Sequence, residues 1–351
     1  MKKTVKTEVL RINSQRPNDS IIARASKLIS SGEIVAFPTE TVYGLGANAL
    51  DPLAISKIYQ IKGRPSDNPL IVHIADMKTL RGLVSEISPR DMRIIKKFWP
   101  GPVTLVLKKS NIVPKITTGG LGTIAVRMPR NKIALALIKR SGFPIAAPSA
   151  NISGRPSPTK ASHVKDDLDG KVKLILDGGS TEIGIESTVI DMTLRTPVIL
   201  RPGGISKESI EDEIGEVHFH DSLLGLSLST KRINISPGMK YRHYSPSARV
   251  VIVEGSRIRV KAKIIELTEK LKDEGKKVSI MTTSKSLKPN ADSVQYMGNA
   301  LDTIARNLFA NLRKADSDQI DVIIIQGINY NNTGFAIMNR LKKAAAETIT
   351  V

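Results

Sequence analysis

Short apolar runs, each followed within a few residues by an amphipathic stretch, recur along most of this chain and restrict it to layered α/β architectures. Ile34–Phe37, Leu70–Ile74, Val103–Leu107 and Thr123–Met128 read as buried strands. Between them, helical spacing takes over. Ile21, Ala25, Leu28 and Ile29 share one face of a helix over Asn18–Ser31, which Asp19 or Ser20 can cap and Gly32 can end. Asp51 followed by Pro52 opens a second helix, with Ile55, Ile58 and Tyr59 as its apolar stripe and Gly63 as its stop. Further helices start at Asp76 and at Ser88-Pro89, and another covers Lys132–Arg140. Strands are expected at Pro144–Ala147, Leu174–Leu176, Thr188–Asp191 and Val198–Leu200. Strands and helices do not alternate one for one, so the expected sheet is twisted and mixed, not purely parallel.

The rhythm breaks once. From Glu211 to Pro246 the periodicity weakens and the composition turns to Ser, Gly, His and Pro, which marks a linker. Beyond it the alternation is regular: strand Arg249–Val253, helix Val260–Leu271, strand Val278–Met281, helix Leu301–Leu312, strand Val322–Ile325, helix Phe335–Ala345. That is the pattern of a small Rossmann-like α/β domain. A length of 351 residues also exceeds one ordinary core. The expected organisation is a catalytic domain over 1–212, a linker or lid over 213–246, and a Rossmann-like domain over 247–351.

Cysteine is absent, which excludes thiol nucleophiles, disulfides and Cys-based metal centres and suits a reducing, cytoplasmic setting. Lys6, Glu8 and Arg11 interrupt any apolar core of a signal peptide, and no run of about 18 apolar residues follows, so no membrane span is expected. A formal charge of +20 favours polyanionic partners such as ATP or RNA. The lysines are spread over many helix faces, however, and a solvated basic surface explains them equally well. Aromatic residues make up only 4%, which argues against single-strand recognition by base stacking.

Several segments concentrate polar chemistry at strand ends, where open α/β sheets place ligands. Pro38-Thr39-Glu40-Thr41-Val42-Tyr43-Gly44-Leu45-Gly46 follows a buried strand, and its paired glycines would let backbone approach a substrate closely. Gly44-x-Gly46-x-x-Ala49 matches the dinucleotide fingerprint as a pattern, but lies too far from the strand end and lacks the later acidic residue. Lys62-Gly63-Arg64-Pro65-Ser66-Asp67-Asn68 offers two cations, a hydroxyl and an amide for a polyphosphate, although a basic helix cap would explain Lys62 and Gly63 alone. Ala147-Pro148-Ser149-Ala150-Asn151-Ile152-Ser153-Gly154 supplies small hydrogen-bonding side chains, as an ordinary turn also would. Glu186-Ser187-Thr188-Val189 opens a strand and Arg201-Pro202-Gly203 closes one. His73 and Arg127 lie within strands, where packed or ion-paired structural roles are the common alternative.

Taken in order, these segments resemble the YrdC-type threonylcarbamoyladenylate synthases, and the C-terminal domain resembles that of the long, two-domain form. The segment Pro237-Gly238-Met239-Lys240-Tyr241-Arg242-His243-Tyr244-Ser245-Pro246 is similar to the joint of that form. The resemblance implies an enzyme that joins L-threonine, bicarbonate and ATP into threonylcarbamoyl-AMP and pyrophosphate for tRNA modification. It implies threonine ligands at Thr39, His73, Arg127, Ala147 and Ser187. ATP ligands are implied at Lys62, Arg64, Ser66, Asn68, Thr123, Ser149, Asn151, Ser157 and Arg201, with Tyr241 as a lid residue. Lys62 and Arg64 would position the reactants, no side chain would act as a covalent catalyst, and Mg2+ would be held mainly by phosphates and water. A downstream threonylcarbamoyl transferase complex and direct tRNA contact are further implied partners. The competing expectation is a double-stranded RNA-binding protein without catalysis.

Overall fold

A computed structural model describes residues 5–224, 244–287 and 289–351. The chain divides into two compact units, one of residues 1–153 and 157–241, the other of residues 154–156 and 242–351.

In the first unit the elements run β1 (Glu8–Arg11), α1 (Asp19–Ser30), β2 (Val35–Pro38), β3 (Tyr43–Asn48), α2 (Pro52–Lys62), β4 (Ile71–His73), α3 (Met77–Leu83) and α4 (Pro89–Phe98). They continue through β5 (Val103–Lys108), β6 (Thr123–Arg127), α5 (Lys132–Ser141), β7 (Ile145–Ala146), α6 (Ala161–Leu168) and β8 (Leu174–Asp177). The unit closes with β9 (Thr188–Asp191), β10 (Val198–Arg201), α7 (Lys207–Ile214), β11 (His218–Phe219) and a short 3-10 turn at Asp221–Leu223. All these strands join one sheet in the order β1-β8-β2-β3-β7-β4-β6-β5-β9-β10-β11. Pairing is mixed as expected: β4 and β6 run parallel, for example, while β5 and β6 run antiparallel.

Capping chemistry sets the helix boundaries. Asn18, not Asp19 or Ser20, caps α1: its backbone is extended and its side chain accepts from the amides of Ser20 and Ile21. Asp19 instead lies in the first turn, where its charge favours the helix dipole. Asp51 caps α2 with Pro52 inside the first turn, and Gly63, at a φ of 60°, ends it. Ser88 and Asp91 form a reciprocal capping box on α4.

Strand alternation assigns residues to the two sheet faces. Val35, Phe37, Leu174 and Leu176 pack in a cluster with α1 and α5 residues such as Ile22, Ile29, Ile133 and Leu137, whereas Ala36 and Ile175 belong to the larger core on the other side. Near the middle of the sheet a third cluster gathers Ile71, Val106, Ala125, Val189 and Leu200. Two residues along each strand from these lie His73, Thr104, Arg127 and Ser187, so the period of two projects those polar side chains from the same face.

Gly44 and Gly46 sit inside β3, not in a substrate loop. A Cβ on Gly46 would come within 2.6 Å of Phe37 and 2.9 Å of Ile145, so its missing side chain lets the aromatic ring cross the strand. The fingerprint resemblance therefore has a packing cause. The second unit holds β12 (Arg249–Glu254), α8 (Arg257–Asp273), β13 (Val278–Thr282), β14 (Ser293–Tyr296), α9 (Leu301–Ser317), β15 (Val322–Gln326), α10 (Thr333–Ala344) and β16 (Glu347–Thr350). Its five strands are all parallel, ordered β14-β13-β15-β12-β16. Among the described residues no helix is long and apolar enough to cross a membrane.

Candidate active site

Arg127 stands at the end of β6, level with His73 on the parallel neighbour β4. Its guanidinium is buried and held on three sides. Nε donates to Gly101 O at 3.1 Å, Nη1 donates to Thr41 Oγ1 at 2.9 Å, and Nη2 approaches Glu40 Oε1 at 2.7 Å. The two charged side chains are 4% and 2% exposed, so this ion pair is inside the protein. Burying two charges is costly unless they are paired and hydrogen-bonded; Arg127 has Glu40, Gly101 O and Thr41 Oγ1, whereas for Glu40 the compensation seen among the described residues is Arg127. The approach lies off the hydrogen-bonding directions, and both Glu40 oxygens and Arg127 Nη2 lack a directed partner among the described residues.

The loop around this pair is ordered by its own hydroxyls. Thr39 donates to Val42 O at 2.6 Å and lies 2.8 Å from Thr41 Oγ1. The backbone amides of Ile183 and Gly184 donate to the carbonyls of Glu40 and Thr41, which pins the loop to the segment leading into β9. His73 is buried, makes an edge contact with Phe37 at a ring separation of 6.5 Å, and has no hydrogen-bond partner at Nδ1 among the described residues. Burial first, and the charge of Arg127 second, hold its imidazole down to about 3. It is therefore neutral at physiological pH, with a free ring nitrogen for a ligand hydroxyl or carboxylate.

Ser187 completes this side. Its hydroxyl lies 2.7 Å from Thr104 Oγ1 and accepts from Arg201 Nη2 at 3.1 Å, while Arg201 also donates twice to the Ser187 carbonyl. Gly203 makes that geometry possible: a Cβ there would meet the backbone of Glu186, Ser187 and Thr188 at 2.3 to 2.4 Å.

The second half of the site is built around the end of α2. Lys62 is buried, and its ammonium donates to the carbonyls of Ser149 and Asn151 at 2.5 Å each. The Ser153 amide donates back to Lys62 O. Arg64 folds over its own turn, donating to Asn68 O, Asn68 Oδ1 and Pro69 O, and leaves the buried Asn68 Nδ2 without a partner among the described residues. Ser157 donates to Glu186 Oε1 at 2.6 Å. Ser66 is exposed in the turn. Thr123 is half-buried at the start of β6, two residues before the Ala125 that pairs with Ile71, so backbone pairing alone sets it beside this turn.

Backbone bonds join the halves. Leu45 donates to Pro148 O, Ala150 donates to Tyr43 O, and Ala147 donates to Ile71 O, so the segments after β2 and β7 are stitched across β3 and β4. All five polar segments thus meet through one hydrogen-bonded framework. Tyr241 lies outside the described residues. Glu40, Thr41, Thr104 and Glu186 escaped the sequence reading as functional candidates. The visible signal for Glu40 was an ionisable side chain between two threonines, with the strand arginine as its only natural buried partner. Thr104 had none, because a threonine in an apolar strand suits β propensity alone.

A mixed-sheet unit that gathers buried cations, hydroxyls and amides around such a framework belongs to the class of α/β enzymes that bind and position small anionic substrates. The chain belongs to the Sua5/YciO/YrdC family. The family model described as telomere recombination matches residues 27–203, and that of the threonylcarbamoyl-AMP synthase C-terminal domain matches residues 205–346. The threonylcarbamoyl-AMP synthase of Pyrococcus abyssi is 54% identical over 325 residues, 93% of this chain and 94% of that protein. Its counterpart in Bacillus subtilis is 50% identical over 333 residues, again covering 93% and 94%. The crystal structure of P. abyssi Sua5 complexed with L-threonine superposes with a TM-score of 0.93 at 52% identity, covering 98% of this chain and 100% of that one.

Proposed function

We propose that this chain is an L-threonylcarbamoyladenylate synthase, which converts L-threonine, bicarbonate and ATP to threonylcarbamoyl-AMP and pyrophosphate. The observation that carries the reading is the meeting of a buried arginine, flanked by hydroxyls and a neutral histidine, with the Lys62–Ser149–Asn151 loop in one hydrogen-bonded framework. Arg127 receives the threonine carboxylate, for which a guanidinium fork is the matching partner. Thr39, His73, Ala147 and Ser187 surround the rest of the amino acid. Lys62, Arg64, Ser66, Asn68, Thr123, Ser149, Asn151, Ser157 and Arg201 hold the nucleotide, with Tyr241, outside the described residues, as a further ligand.

The chemistry asks for positioning. Bicarbonate takes up a proton and gives carbon dioxide and water; the threonine ammonium gives up a proton, the free amine adds to carbon dioxide with loss of a second proton to water, and an oxygen of the resulting carbamate attacks the α-phosphorus as pyrophosphate leaves. Two anions must be pressed together, which fixed cations and neutral donors accomplish without a nucleophilic side chain. Mg2+ enters with ATP as part of the substrate. Phosphates and water would hold that ion. The product passes to a threonylcarbamoyl transferase complex acting on tRNA in the cytoplasm, and the net charge of +20 favours direct contact with that tRNA.

Incubation with Mg-ATP, threonine and 13C-bicarbonate, followed by mass spectrometry, tests the reading. The expected product is an adenylate carrying threonine and a single 13C. Adenylate formed without the label, or RNA binding with no ATP turnover, would refute it.

A further inference from the structure

The buried Arg127–Glu40 pair contains one group with no role in the reaction above. Glu40 is 2% exposed, and neither carboxylate oxygen accepts a directed hydrogen bond among the described residues. Among the described residues the charge paired with it is Arg127, at 2.7 Å. A threonine carboxylate on Arg127 therefore arrives beside a second, buried carboxylate, and two like charges at such range repel strongly in a low-dielectric site. A cation between them relieves that repulsion. The neighbours described above do not supply it: His73 is neutral, Thr39, Thr41, Thr104 and Ser187 carry no charge, and the Arg201 guanidinium is turned onto the carbonyl and hydroxyl of Ser187. In an α-amino acid the ammonium is attached one carbon from the carboxylate, so a ligand whose acid end meets Arg127 brings its own cation to the adjacent position.

Resting on the assignment of Arg127 as carboxylate partner, we propose that Glu40 is the recognition residue for the substrate α-ammonium. The resting ion pair is exchanged on binding for two crossed pairs, Arg127 with the carboxylate and Glu40 with the ammonium. Glu40 then sets substrate class: the site admits zwitterionic α-amino acids and rejects hydroxy acids of the same shape. The backbone holds Glu40 for this purpose, since its carbonyl is anchored by the Ile183 amide and the flanking Thr41 hydroxyl is fixed by Arg127.

The test is calorimetric titration of the full chain, saturated with ATP, using L-threonine and its α-hydroxy analogue, 2,3-dihydroxybutanoate of matching stereochemistry. The wild type is expected to prefer threonine by about 100-fold or more, since a site built for a polar group rejects the analogue lacking it. Glu40→Gln should weaken threonine at least about tenfold, leave the analogue unchanged or improved, and keep ATP affinity, so the preference collapses. Glu40→Asp, which retains the charge, should keep the preference at reduced affinity; it decides the matter if Glu40→Gln does not fold. A folded Glu40→Gln with wild-type preference, or a folded Glu40→Asp without any, overturns the Glu40 assignment alone. Failure of the wild type to bind threonine while ATP binds overturns the parent reading and this inference together.

Discussion

Replacing Lys62 by methionine removes an ammonium while keeping roughly the side-chain volume, and so isolates what that charge does. Lys62 is 2% exposed and donates to Ser149 O and Asn151 O at 2.5 Å each. Burying the ammonium costs several kcal/mol, which its two hydrogen bonds offset. Methionine removes the desolvation cost but leaves two buried carbonyls short of a donor, at about 1–3 kcal/mol each. The expected net loss is about 2–4 kcal/mol. In a unit of this size it lowers the melting temperature by roughly 5–15 °C. The loosened Ser149–Asn151 segment should also raise the KM for ATP at least about tenfold while the threonine KM changes less. Differential scanning fluorimetry and initial-rate pyrophosphate release check both parts. A variant that melts within about 2 °C of wild type with an unchanged KM for ATP would show that the Lys62 ammonium does not hold this loop.

Three other outcomes are expected. Gly203→Ala places a Cβ within 2.3 to 2.4 Å of the Ser187 neighbourhood backbone, so it should destabilise by about 3 kcal/mol or more and displace Ser187; a denaturant midpoint equal to wild type contradicts this. Thr104→Val deletes the hydroxyl 2.7 Å from Ser187 at a stability cost of about 1 kcal/mol, and should raise the threonine KM severalfold with little effect on ATP. The pH dependence follows from His73, whose imidazole is held down to about 3 in the fold against about 6.5 when unfolded. The unfolded chain thus binds the extra proton, and stability falls as pH drops from about 6.5 toward 3, by at most about 1.4 kcal/mol per unit, with no effect above that range. Urea midpoints at pH 7.5, 6.5 and 5.5 should show this slope in the wild type and lose it in His73→Phe.

Periodicity and capping made most helices and buried strands legible before the structure, because Ile55, Ile58 and Gly63, or Val103 to Leu107, answer to local rules. β3 was not legible. Its Gly44 and Gly46 mimic a phosphate loop, and the packing of Phe37 and Ile145 against Gly46 and of Ala147 against Gly44 explains them. Edge strands β1 and β16 do not declare themselves because neither buries an apolar face: Glu8 and Leu10 are half-buried and Val9 exposed in β1, and Ile349 is the one half-buried residue of β16. In the site, residue types alone suggested Lys62, Arg64, Ser66 and Asn68 as a phosphate cradle, whereas Arg127 was singled out by the family resemblance. Their partners were hidden because the Glu40, Thr41 and Thr104 contacts link residues far apart in sequence. Lys62 was expected to meet phosphate as a point charge, whereas the fold also gives it two backbone carbonyls to hold.

The most direct measurement is pyrophosphate release by the pure protein from Mg-ATP, L-threonine and bicarbonate, with each reactant withheld in turn. The account predicts release only when all three are present, and its abolition in Arg127→Met under the same conditions. Pyrophosphate that continues to form without threonine, or at an undiminished rate in Arg127→Met, would contradict a site whose work is to bring an amino-acid carbamate against a triphosphate.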